Sequence, residues 1–263
     1  MTNIKLIQGD CLEKTKDIPD KSIDMILCDL PYGTTACKWD TIIPFEPLWE
    51  QYKRIIKDNG AIVLTASQPF TSALVMSNIK MFKYEWVWVK NGITGFANAK
   101  KQPLRNYEDI LVFSKERTNY FPQDLIRIDK KCKNSKNRGG ESLRMSIDDS
   151  KNKGSLRTEG KEYIQEFTGY PKQTLTDIKE DAEKLHPTQK PVALFEYLIK
   201  TYTNEGDLVL DNCMGSGTTG VACKNLNRKY ILIEKEQTYI DIINNSLSMV
   251  GGKESTDGRY IQK

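Results

Sequence analysis

Five consecutive residues, Asp29-Leu30-Pro31-Tyr32-Gly33, set an acid, a proline and an aromatic directly after an apolar run from Ser22 to Cys28. That run reads as a buried strand. At its carboxyl end, the carboxylate of Asp29 can accept one hydrogen of an exocyclic amine. A backbone carbonyl near Leu30 or Pro31 can accept the other. Pro31 sets its own φ and restricts Leu30 before it, which aims that carbonyl. Tyr32 offers a ring face for stacking. Such groups suit a planar base whose amine is turned toward a methyl donor. Taken alone, the same stretch is also ordinary turn chemistry at a strand end.

A second constellation lies far down the chain. The apolar strand Leu208-Val209-Leu210 runs into Asp211 and then Gly215-Ser216-Gly217-Thr218, and a helical stretch is under way by Val221-Ala222-Cys223. The glycines let the backbone turn tightly and let a ligand lie against it. The helix N-terminus beyond presents unpaired N–H groups and a positive dipole end. A further strand, Tyr230 to Ile233, ends in Glu234, an acid able to hold ribose hydroxyls. Gly215-x-Gly217-x-x-Gly220 with an acid 234 − 215 = 19 residues on also satisfies the dinucleotide fingerprint. A nicotinamide oxidoreductase therefore stays open. Asp211 before the turn suits a cationic amino-acid amine and favours S-adenosylmethionine. Between the two constellations, His186-Pro187-Thr188-Gln189-Lys190-Pro191 introduces a helical run from Val192 to Ile199, with Pro191 suited to its first turn.

These three stretches carry a resemblance. Asp29 to Tyr32 resembles motif IV, D-P-P-Y, of amino-methyltransferases that act on DNA adenine N6 or cytosine N4, with Leu30 in place of a proline. Asp211 to Thr219 resembles their motif I, D-P-F-x-G-S-G-T-T, departing at Asn212 and Cys213. His186 to Pro191 resembles their motif X. The order, catalytic motif first and cofactor turn last, is similar to the circularly permuted β group. The likeness spans residues 1–113 and 186–247.

The resemblance implies an α/β fold: the Rossmann-like doubly wound sheet of S-adenosylmethionine-dependent methyltransferases, circularly permuted. It implies a catalytic and cofactor-binding domain over 1–113 and 186–250, a basic target-recognition insertion over 114–185 and a tail over 251–263. Asp29, Leu30, Pro31 and Tyr32 would hold the target amine. S-adenosylmethionine would lie against Asp211, Gly215, Ser216, Gly217, Thr218 and Glu234. Thr188 and Lys190 would meet its methionine end, Lys190 through the carboxylate. Asp10 would sit by its adenine, and can equally cap the helix starting near Cys11. In this family an Asp at the first motif IV position goes mainly with adenine N6, which makes N4-cytosine the alternative. Duplex DNA is the implied partner, and the family includes homodimers and enzymes paired with a cognate restriction endonuclease. RNA or protein methylation, and a catalytically silent nucleic-acid binder, are the remaining alternatives.

The elements that must position these residues follow from patterning. Helices are expected over Phe45–Asp58 and Phe70–Ile79. Strands are expected over Ile4–Asp10, Ala61–Thr65, Tyr84–Lys90 and Asp109–Phe113. Alternating strands and helices imply a parallel sheet covered on both faces; an antiparallel excursion is expected from the resemblance alone. Trp86 and Trp88 share one strand face and read as core. Trp39 and Phe70 follow strand ends and are candidates to line a base pocket.

The chain has 263 residues and a formal charge of +4. Its charge is uneven: residues 127–161 hold eleven basic and five acidic side chains, 11 − 5 = +6, in a loop-rich stretch that suits a phosphate backbone. No segment reads as a signal peptide and no apolar run reaches membrane-spanning length, so a soluble, cytoplasmic protein without membrane association is expected. The six cysteines form no C-x-x-C pair and His186 is the only histidine. No metal site is expected, and Ser-His-Asp hydrolysis has little material. A covalent cytosine-C5 mechanism would need a cysteine where Asp29 stands.

Overall fold

The computed structural model describes residues 4–35, 37, 40–133, 162–180 and 189–249. Elements follow in the order β1 (Ile4–Gln8), α1 (Cys11–Lys14), β2 (Ile23–Asp29), α2 (Phe45–Ile55), β3 (Ile56–Ala66), α3 (Phe70–Ser77), β4 (Phe82–Thr94) and β5 (Arg105–Phe113). They continue with β6 (Ile126–Lys133), β7 (Glu162–Thr168), β8 (Thr174–Leu175), α4 (Val192–Tyr202), β9 (Leu208–Asp211), α5 (Thr218–Asn225), β10 (Lys229–Glu234) and α6 (Gln237–Met249). The chain divides into two compact units, 1–121 with 172–263, and 122–171.

The larger unit is built on an eight-stranded sheet in the order β1-β10-β9-β2-β3-β5-β4-β8. The pairs β1·β10, β10·β9, β9·β2 and β2·β3 are parallel. β5 runs antiparallel to both β3 and β4. Patterning alone implied parallel pairing throughout; β5 reverses because a hairpin with one short 3-10 turn, and no crossover helix, joins it to β4. Both sheet faces are covered. Ile23, Ile26 and Cys28 of β2 pack into one core with Leu48, Trp49, Tyr52 and Ile55 of α2. Met25 and Leu27, the alternate residues, pack into a second core with Leu194, Phe195 and Leu198 of α4 and with Ala222 and Cys223 of α5. A strand buried on both faces has to read as a continuous apolar run, and β2 does from Met25 to Cys28. Trp86 and Trp88 lie together in the second core.

Several boundaries differ from the patterning: β1 ends at Gln8, α3 ends at Ser77, and β4 and β5 extend over Phe82–Thr94 and Arg105–Phe113. The helix from Phe45 ends at Ile55 rather than Asp58, because Ile56 pairs with Ile23 and opens β3. Asn59-Gly60 is not a helix stop but an irregularity inside β3, where the register with β2 shifts between Ile23 and Met25. Thr174 and Leu175, within the stretch read as an insertion, pair with Val87 and Trp88 and join the main sheet.

The parallel arrangement brings the carboxyl ends of β1, β2, β9 and β10 to one edge. Neighbours diverge from between β2 and β9: the chain proceeds to β3 on one side and to β10 on the other. Open α/β sheets bind ligands at such a switch point. β5 runs against β3, so its amino end, with Glu108, reaches the same edge.

In the smaller unit, β6 and β7 form an antiparallel ribbon from Ile126↔Thr168 to Lys133↔Glu162. The ribbon replaces loop at both ends of the basic stretch, where Ile126-Arg127-Ile128 alternates in the manner of a strand. The remainder of that stretch, and the tail 251–263, lie outside the described residues. No helix among the described residues is long and apolar enough to cross a membrane.

Candidate active site

A cleft of about 1100 Å³ opens at this sheet edge. It is lined by Asp29, Leu30, Pro31 and Tyr32, and by Asp10, Lys190, Asp211, Gly215, Ser216, Thr218 and Glu234. Gly217 shapes the turn without lining the cleft. Thr188, His186 and Trp39 lie outside the described residues.

Asp29 is the last residue of β2, and strand register decides its neighbours. It pairs with Thr65 of β3, whose hydroxyl donates to Asp29 Oδ1. The Tyr32 hydroxyl lies 2.8 Å from the same oxygen and 3.0 Å from Thr65 Oγ1. Lys190 Nζ donates to Asp29 Oδ2 at 2.8 Å. The two carboxylate oxygens therefore differ: hydroxyls crowd Oδ1, while Oδ2 takes one ammonium donor and keeps a lone pair.

Lys190 is only 7% exposed and is shared. Its ammonium also lies 3.2 Å from Glu108 Oε2, close enough for attraction but out of line for a hydrogen bond. Glu108 Oε1 accepts from Lys90 of β4. Burial alone would lower the Lys190 pKa; the Asp29 and Glu108 carboxylates outweigh it and hold the ammonium above its ordinary value. Two acids and two ammoniums thus form a chain along the cleft floor. Lys190, expected to meet a cofactor carboxylate, stands against Asp29 and lines the cleft. Its backbone carbonyl accepts from Thr218 Oγ1 at 3.3 Å, which ties it to the glycine turn.

Tyr32 stacks on Phe70 with centroids 5.2 Å apart and planes at 24°, and Lys190 Nζ lies 5.6 Å from the Tyr32 ring centroid. Burial, then the Asp29 and Glu108 charges, push the Tyr32 hydroxyl well above its ordinary pKa. It stays a protonated donor. Phe70, expected to line a base pocket, is itself buried and supports Tyr32 from behind. The loop after Tyr32 is held by Asp40, whose carboxylate accepts the N–H groups of Gly33, Thr34 and Thr35 at 2.8, 2.9 and 2.6 Å.

The other half of the cleft is built on β9 and β10. Asp211 is buried; its Oδ1 accepts from Cys213 N at 3.1 Å and its Oδ2 from Thr219 Oγ1. Burial pushes its carboxyl up to about 7. Gly217 caps α5 at φ 81°, and a Cβ there would stand 1.4 Å from Ile243 Cδ1. Only glycine fits. Glu234 accepts from Gly215 N at 3.0 Å through Oε2, and from Lys235 and Glu236 N through Oε1. Asp10 accepts from Leu12 N at 2.9 Å, so it caps α1 while lining the cleft. Asn212, where the motif usually has proline, accepts the Tyr52 hydroxyl at 2.5 Å.

The donor set fits S-adenosylmethionine. Asp10, Asp211 and Glu234 offer carboxylates for a cationic amino acid and ribose hydroxyls, and a Cβ at Gly215 would meet nothing within 4 Å, leaving the turn open to a close ligand.

A family model described as DNA methylase, of the N6/N4 type, matches residues 23–245. The chain belongs to this DNA methylase family. Over 270 residues the methylase is 29% identical to the type II methyltransferase M.HpaI of Haemophilus parainfluenzae, covering 97% of this chain and 78% of that protein. Over 251 residues it is 32% identical to the DNA adenine methyltransferase YhdJ of Escherichia coli (strain K12), covering 89% and 79%. The solved complex of M1.HpyAVI with SAM matches its fold with a TM-score of 0.60 at 26% identity, over 92% of this chain and 99% of that one. Sequence reasoning did not find Thr65, Glu108 or Asp40 in the methylase site, and placed Lys90 only at a strand end where sites form. Thr65, Lys90 and Glu108 stand on strands whose register had to be known; Asp40 follows a glycine turn that gave the only local signal.

Proposed function

We propose that the protein transfers the methyl group of S-adenosylmethionine to N6 of an adenine flipped out of duplex DNA. The observation that carries this reading is the single cleft in which the Asp29–Tyr32 stretch and the Gly215 turn meet. A nicotinamide oxidoreductase would use the turn and leave the Asp29 arrangement without a task. Adenine is favoured over cytosine by the acid at position 29 and by the relative named as an adenine methyltransferase. The type II name of M.HpaI supports a place beside a cognate restriction endonuclease.

A base buried in the duplex stack must swing out to reach the cleft, at a cost of a few kcal/mol. The Tyr32 ring, braced by Phe70, takes up part of that cost by packing. Asp29 Oδ2 accepts one amine hydrogen with its remaining lone pair, and the Leu30 or Pro31 carbonyl accepts the other. Both bonds pull the amine away from conjugation with the ring and aim its lone pair. Asp211, Glu234 and the Gly215–Thr218 turn would hold S-adenosylmethionine, which would supply a methyl group made electrophilic by its sulfonium. Alkylation makes the nitrogen acidic, and Asp29 Oδ2 is the adjacent proton acceptor. Holding the partners in line supplies several kcal/mol of the rate.

The test is Asp29→Ala. Transfer to DNA is lost, while the thermal shift induced by S-adenosylmethionine is retained. A variant that still methylates at more than about a tenth of the parent rate, a deficit under about 1.4 kcal/mol, would remove Asp29 from this role.

A further inference from the structure

The hairpin between β4 and β5 carries features that the cleft chemistry does not use. Every residue from Ile93 to Pro103 is exposed, including Ile93 at 51% and Phe96 at 67%. Between Asn91 and Tyr107 the chain carries Lys100, Lys101 and Arg105 and not one Asp or Glu. The segment holds its own shape. Thr94 pairs with Arg105 at its base, and a turn follows in which Asn98 N donates to Gly95 O at 2.9 Å and Lys101 N to Asn98 O at 2.8 Å. Thr94 and Arg105 line the same cleft as Asp29. Two large apolar side chains held in water on an ordered, purely basic arm mark a docking surface rather than a tether.

Resting on the methyl-transfer reading, we propose that this arm is a second duplex-DNA contact, carried by the catalytic unit itself and separate from the basic stretch 127–161. Lys100, Lys101 and Arg105 hold phosphates flanking the flipped adenine, and Phe96 packs as an apolar wedge against the bases beside the gap. Charge selects the partner: three cations with no acid match a polyanion, and an ordered aromatic beside them matches unstacked bases. Continuity with the cleft rim selects the place, because a strand feeding a base to Asp29 must cross that rim.

The experiment uses the full chain, a duplex oligonucleotide and fluorescence anisotropy across a salt series. Lys100→Glu with Lys101→Glu weakens binding by about tenfold or more at low salt and flattens the log–log salt dependence by about 2. Phe96→Ala weakens binding severalfold and leaves that slope unchanged. All three sites are exposed, so thermal melting of the variants should match the parent. Binding within about twofold of the parent for both variants overturns the proposal. So does a loss of self-association by Phe96→Ala in sedimentation, with DNA affinity intact, since the arm would then serve a second copy of the chain. The two readings fail separately: arm-dependent binding by a parent protein that methylates no DNA would keep the arm and remove the methyl-transfer reading.

Discussion

Replacing Lys190 with methionine removes the ammonium between Asp29 and Glu108 while keeping most of the side-chain volume. At an effective dielectric of about 20, the 2.8 Å contact to Asp29 attracts by about 6 kcal/mol and the 3.2 Å contact to Glu108 by about 5 kcal/mol. Desolvation of a nearly buried ammonium takes back much of this. Breaking a buried pair from one side nevertheless costs about 3–5 kcal/mol, because the carboxylates stay behind. Asp29 borders the cleft, and Glu108 keeps Lys90, so the lower end, about 3 kcal/mol, is expected. In a protein of this size that lowers Tm by roughly 6–12 °C. The assay is urea unfolding of the parent, Lys190→Met, Asp29→Asn and the double variant, without cofactor. Asp29→Asn removes the charge that Lys190 neutralises, so the double variant should be more stable than the sum of the single effects, by about 1–3 kcal/mol. Additivity within about 0.5 kcal/mol would refute the pairing. An unchanged stability for Lys190→Met with weakened S-adenosylmethionine binding would place Lys190 on the cofactor carboxylate.

Three further outcomes follow from the geometry. Asp211 is raised from 3.8 to about 7 by burial, so between roughly pH 4 and pH 7 the folded protein keeps a proton that the unfolded chain has lost. Stability contributed by this group falls as pH rises through that window, by about 4 kcal/mol at most, and then levels off. Asp211→Asn should flatten the dependence between about pH 4 and pH 7 in guanidinium titrations; parallel profiles would contradict the burial argument. Tyr32→Phe removes one hydroxyl donor from Asp29, about 1 kcal/mol, and should slow methylation about fivefold, whereas Tyr32→Ala also removes the stack on Phe70 and should slow it about a hundredfold. Equal rates for both would leave the ring without a role. Gly217→Ala forces a Cβ into Ile243 at a left-handed φ and should cost about 3 kcal/mol or more in thermal melting; a melt like the parent's would contradict the packing of α6 on this turn.

Legibility in the sequence followed the range of the interaction. β2 and its terminal Asp29 were visible because a strand buried on both faces leaves an apolar run, unbroken here from Met25 to Cys28, and the turn after β9 because glycine is the residue that a left-handed cap beside Ile243 demands. The end of α2 was misplaced by three residues, since what ends that helix at Ile55 is the pairing of Ile56 with Ile23 across the sheet. The direction of β5 was not written in its own pattern. It is this reversal that carries Glu108 to the cleft edge, where Lys90 and Lys190 meet it. Lys190 illustrates the limit best: its motif located it near the cofactor turn, but its partner, Asp29, lies 161 residues away and only the assembled sheet brings them together. Phe70 was read as a pocket wall because it follows a strand end; the fold turns it inward, behind Tyr32.

The most direct test is mass spectrometry of nucleosides from unmethylated duplex DNA incubated with the protein and S-adenosylmethionine. New N6-methyladenine that depends on Asp29 is the expected product. N4-methylcytosine would overturn the choice of base, and DNA left unmethylated by a protein that binds S-adenosylmethionine would contradict the account outright.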